Sequence, residues 1–159
     1  MHKVETLKFF HILLVMIFFS GTIVAAVSSA WAAKAKDVQT VQSLIHMAKT
    51  FSIIMIYPAF IAMAILGVFL AHEESLSLTH TGWLKAAYAA SGLGFLVGVG
   101  VMGRNGAKLQ KLADRDAPTG QISPELRAAL DSPMPKIVGG LLHTLVVYLL
   151  VLMVYKPYG

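Results

Sequence analysis

The sequence predicts an all-α protein, a transmembrane four-helix bundle with both chain termini on the outer side. Three observations carry this. Hydrophobic residues make up 57% of the 159 and charged residues only 13%. Adding the 13 glycines takes the apolar share to about 65%, against roughly 45–50% for soluble domains. Second, four apolar runs approach the length of about 20 residues that crosses a bilayer, and none carries a charge at its centre. Third, the runs do not alternate polar with apolar, as the strands of a membrane barrel would. Mean hydropathy is +0.70. A soluble globular domain and a disordered tail are excluded. So is a nucleic-acid binder: the residues behind the +5 charge and the pI near 9.6 lie between apolar runs, not on one soluble face. The absence of cysteine excludes disulfides, thiolate metal sites, iron–sulfur clusters and cysteine nucleophiles. The length fits one domain, 1–159.

The first helix is expected at residues 7–30. Ala30-Trp31-Ala32 resembles a signal-peptide cleavage site, but the apolar stretch exceeds the 7–15 residues of a signal core, so it reads as a span. The second helix is expected at 51–71, where Pro58 should kink it and free a carbonyl. The third is expected at 83–102. In it Ala86, Ala90, Gly94 and Gly98 recur every four residues, with Gly92 and Gly100 nearby. Small residues at this spacing let helices approach closely in lipid. The stripe should therefore pack on protein, inside the bundle or on another membrane subunit. The fourth helix is expected at 137–155.

Lysine and arginine set the orientation. Nine lie between helices 1 and 2 or between helices 3 and 4: Lys34, Lys36, Lys49, Arg104, Lys108, Lys111, Arg115, Arg127 and Lys136. Four lie on the other side, at Lys3, Lys8, Lys85 and Lys156. Positive residues stay inside, so the termini face outward and the loop 103–135 is cytoplasmic. The pattern is that of a multi-pass protein of a bacterial inner membrane. Arg104, Lys108, Lys111 and Arg115 fall on one helical face that continues helix 3 and would anchor on anionic headgroups. Residues 114–120 read as a turn, and Ser123-Pro124-Glu125 as the cap and first turn of a short helix ending near Leu130.

Polar residues at membrane depth carry the functional information, because they are costly there. His11 lies about one turn inside the outer end of helix 1, and His143 about two turns inside the cytoplasmic end of helix 4. Imidazole ligates membrane haem, and a four-helix bundle can hold the macrocycle between facing helices. Two axial ligands need similar depths. At 1.5 Å per residue His11 and His143 sit roughly 6 Å and 18 Å below the outer edge. His72, at the outer end of helix 2, matches His11 better; His143 becomes the second ligand if helix 1 sits deeper. The plainer reading of each histidine is a hydrogen bond to a neighbouring carbonyl, or to Ser20, Ser91 or Thr144. Glu73 and Glu74 beside His72 and His80 could hold a divalent ion, though a solvated loop is the simpler reading. Met16, Met55 and Met63 read as filler.

Leu7-Lys8-Phe9-Phe10-His11-Ile12-Leu13 resembles the opening of small four-helix membrane proteins of the HemJ and CopD type, where a histidine sits in that motif. Ile56-Tyr57-Pro58-Ala59 leading to Gly67, then Gly82-Trp83-Leu84, resembles their second and third helices. Leu152-Met153-Val154-Tyr155-Lys156-Pro157 resembles their ending. The nearest likeness is to the integral-membrane branch without an assigned activity. The resemblance implies haem b, with His11 carried over as a ligand. The residues before helix 2 (His46-Met47-Ala48-Lys49), after Trp83-Leu84 (Lys85-Ala86-Ala87) and before helix 4 (Asp131-Ser132-Pro133) depart from the HemJ pattern. Two functions are therefore expected: a haem-holding protein in electron transfer or haem handling, or a non-catalytic subunit beside a larger membrane complex. The second would pack through helix 3 and through lipid-facing Phe9, Phe10, Phe18 and Phe19.

Overall fold

In lipid every backbone N–H and C=O must be satisfied within its own segment, so apolar runs become helices. The computed structural model describes residues 2–77 and 80–157. Its helices are α1 (His2–Lys34), α2 (Val38–Phe51), α3 (Tyr57–Glu73), α4 (Gly82–Val97), α5 (Arg104–Asp116), α6 (Pro124–Asp131) and α7 (Met134–Tyr155). Four candidate membrane spans result: His2–Lys34, Val38–Glu73, Gly82–Thr119 and Pro124–Tyr155. The described residues contain no strand. A helix of 33 residues is about 50 Å long, well beyond the roughly 30 Å hydrocarbon core.

The excess length builds a small module at the end opposite the termini. Residues 31–50 were expected as connection, but α2 occupies most of that stretch. Asp37 caps it by accepting from the Thr40 N–H at 2.7 Å. Val38, Val41 and Ile45 recur at helical spacing and are buried against Ala32, Ala113, Leu126 and Leu130. Helix α5 continues α4 past the expected end at residue 102 and packs on α2. Helix α6 has the expected cap, the Ser123 hydroxyl accepting from the Leu126 N–H at 3.2 Å.

A buried aspartate ties this module together. Asp116 Oδ2 accepts from the Ser123 N–H at 2.9 Å, and Oδ1 accepts from Arg115 Nε at 2.9 Å. Arg115 also donates to Glu125 and Ser123, so it is spent inside the module and is not free for headgroups as expected. Those bonds hold the Asp116 carboxyl below its ordinary range, Ser123 contributing most. Arg127 donates to the carbonyls of Ala33 and Ala35 at 2.9 and 2.8 Å, closing the last turn of α1.

The Pro58 prediction resolves into a different geometry. Without an N–H, Pro58 cannot bond the carbonyl of Ile54, and the helix widens to a π turn at Ser52–Ile56. The Tyr57 N–H then reaches the Ser52 carbonyl, five residues back. Helix α1 approaches this turn closely at Gly21, where a Cβ would lie 3.0 Å from Ile56. A second π turn, Gly98–Gly103, joins α4 to α5.

In the membrane α1 packs on α3 and α4 on α7, and side chains fill the seam between the two pairs. Phe60 stacks on Phe95 at 4.9 Å, and Phe18 packs on Phe60. Phe18 and Phe19 therefore turn into the seam rather than toward lipid; Phe9 and Phe10 do face outward. The small-residue stripe divides in the same way. Ala90 is buried, and a Cβ at Gly94 would lie 2.9 Å from Leu145 of α7. Gly92, Gly98 and Gly100 have nothing within 4 Å of a Cβ.

Candidate functional site

The end that carries the termini is closed by charge. Glu73 pairs with Lys3, and Glu74 with Lys8 and Lys156, while Lys156 also lies 5.5 Å from the Trp83 ring centroid. The lysines hold both carboxyls below their ordinary range. The two glutamates thus brace the termini, and no metal-binding group occurs among the described residues.

One turn inside this belt lies the feature that stands out chemically. Antiparallel packing brings His11 of α1 level with Gly67 of α3 and Tyr88 of α4. A Cβ on Gly67 would sit 3.5 Å from His11 Cε1, 4.0 Å from Nδ1 and 3.6 Å from Tyr88 Oη. The imidazole and the phenol therefore address one spot that is kept clear by a missing side chain. His11 Nδ1 and Tyr88 Oη are both buried and have no hydrogen-bond partner among the described residues. The imidazole also faces the Met63 carbonyl, one turn before Gly67. An unpaired polar atom buried in an apolar setting costs about 1–3 kcal/mol. His11 Nδ1 and Tyr88 Oη thus flank one point at Gly67 without a hydrogen-bond partner among the described residues.

The other sequence candidates lie elsewhere. His143 packs edge-on against Phe19 at 6.5 Å, and its Nδ1 donates to the Gly139 carbonyl at 2.7 Å. Phe19 is eight residues from His11, so the two histidines differ in depth by about 12 Å. His72 is five residues past Gly67, about 7.5 Å farther along α3 and about 140° round its axis. It is exposed and is not brought to His11. His46 and His80 are exposed as well. Tyr88 was not singled out in the sequence. A phenol among alanines carries no spacing signal, and only its neighbourhood reveals it.

Four apolar spans and a polar pair at membrane depth define a polytopic α-helical membrane protein. The chain belongs to the family described as Predicted integral membrane protein (DUF2269), whose model matches residues 5–157. No curated protein and no solved structure matches it.

Proposed function

We propose that this membrane protein holds a b-type haem in the outer half of its bundle and serves electron transfer or haem handling. The observation that carries this is the unpartnered His11 Nδ1, set with the unpartnered Tyr88 hydroxyl around the missing side chain of Gly67. The donor types suit the group: His11 offers an imidazole and Tyr88 an oxygen on the facing helix pair. The gap at Gly67 is the size of a methyl, so the helices around it would have to part to admit the ring. Bound there, haem would supply one-electron redox chemistry. The chain's own residues orient it and exclude water, and the Phe18, Phe60 and Phe95 layer closes the seam beneath. A bis-histidine arrangement is not what these residues offer, since His72 and His143 lie at other depths and azimuths. His11 with Tyr88 is the pair this reading selects.

The supporting experiment is a haemin titration of the purified full chain in detergent, followed in the Soret region. A shifted band saturating at one haem per chain is expected for the wild type and for His72→Ala and His143→Ala. Tyr88→Phe should bind more weakly and with an altered band. Equal titrations of the wild type and Tyr88→Phe would remove Tyr88 from the site.

The accessory-subunit reading draws on Gly92 and Gly98, whose faces are open. We also propose, from the charge distribution, that the termini lie outside and the α2–α5–α6 module in the cytoplasm.

A further inference from the structure

The π turn Gly98–Gly103 walls a cleft of about 840 Å³ whose far side is α6 and the start of α7. The volume falls in the range of ligand sites, roughly 300–1,000 Å³. The polar side chains at its mouth are Arg104, Asn105, Lys108, Glu125 and Ser132. Glu125 already receives Arg115 Nη1 at 2.7 Å, so its charge is compensated. Arg104 and Lys108 are exposed and make no ion pair or hydrogen bond among the described residues. They stand one turn apart where the apolar run ends, at the depth of headgroups. Apolar side chains, among them Val101, Leu112 and Met134, make up the rest of the lining. Gly100 lines the cleft beside Val101, and a Cβ there would meet nothing within 4 Å, so the wall of the π turn leaves room for a chain.

We propose that this cleft is a binding site for one anionic phospholipid. The phosphate lies between Arg104 and Lys108, and an acyl chain runs past Gly100 and Val101 toward Met134. Charge complementarity and depth select this occupant. Basic pockets between spans on the cytoplasmic side take acidic headgroups, and the apolar lining of Val101, Leu112 and Met134 suits a lipid tail. This differs from a diffuse basic anchor in being a site with a shape. Arg115, which a diffuse anchor would include, is excluded from it by its own pairs. The reading does not depend on haem.

The test counts bound lipid by native mass spectrometry on the purified full chain, titrated with phosphatidylglycerol or phosphatidylcholine. Phosphatidylglycerol should bind as a single retained molecule in preference to phosphatidylcholine. The double variant Arg104→Gln/Lys108→Gln should bind it about 30-fold more weakly, roughly fivefold per cation. Lys34→Gln/Lys36→Gln, which removes two cations outside the cleft, should bind as the wild type does. Gly100→Leu should lose the lipid with both cations in place, because its side chain enters the cleft. Melting without added lipid should be unchanged in all three variants. Inorganic phosphate should not displace the lipid; if it does at comparable concentration, the site belongs to a free phosphate and the proposal fails. Equal retention of the two lipids, or equal losses in the two double variants, would equally overturn it and leave the cleft to a protein partner.

Discussion

Gly67→Ala is the substitution that separates an unused gap from a binding locus. The new methyl would lie 3.5 Å from His11 Cε1 and 3.6 Å from Tyr88 Oη, which is ordinary van der Waals contact, so no clash arises. Gly67 is mid-helix in α3, where alanine is favoured over glycine by about 0.5–1 kcal/mol. The expected result is a protein at least as stable as the parent, with a melting temperature unchanged or raised by a few degrees. The methyl nonetheless occupies the point that the imidazole and the phenol share. Bound haem should therefore fall severalfold or vanish. The assay pairs a thermal melt in detergent with haem content per chain on the same preparation. A destabilised variant would show that the gap is not open. A stable variant with full haem would show that the cofactor does not lie between His11 and Tyr88.

Leu126 is fully buried in the α2–α5–α6 module, so Leu126→Ala should destabilise that module by about 2–5 kcal/mol, read as lost amide-exchange protection over Pro124–Asp131. Acid should act on the same module. The Asp116 carboxyl is held below its ordinary range by its bonds to Ser123 and Arg115. Its stabilisation is thus complete above the unfolded value of about 3.9 and is lost as pH falls through the lower folded value. Protection of the α6 amides, taken relative to their intrinsic exchange, should fall below about pH 4 while the spans stay helical, and Asp116→Asn should loosen α6 at neutral pH. Gly94→Leu should separate α4 from α7, because the side chain meets Leu145 at once. Gly98→Leu enters open space and should melt like the parent; if it instead detaches the chain from a co-purifying membrane subunit, the accessory reading gains its interface.

The four spans were legible because lipid makes apolar length the decisive signal, and the structure returns all four. What composition missed is amphipathic. Val38, Val41 and Ile45 alternate with Gln39, Gln42 and Ser43, a pattern of low mean hydropathy that looks like loop until Ala113 and Leu126 are set against it. Asp116 was invisible for a similar reason, since a charged residue after a basic run looks solvated until its bonds to Ser123 and Arg115 close around it. His11 could be found from depth and residue type. Its partner could not. Depth alone favoured His72, but five residues on a helix also turn the side chain about 140° away from Gly67, and azimuth relative to a neighbouring helix is fixed only by packing. Pro58 announced a disturbance, yet a missing N–H fits a kink or a π turn equally, and the sequence does not say which the helix takes.

The central claim is that His11 ligates a haem in this bundle. It is tested most directly by the reduced-minus-oxidised absorption spectrum of the full chain purified gently from its native membrane, beside that of His11→Ala. The wild type should show the bands of a b-type haem at one per chain, and His11→Ala should lose them while keeping its helical circular dichroism. A wild type without haem, or a His11→Ala protein with undiminished bands, would contradict the account and return His11 to a structural role.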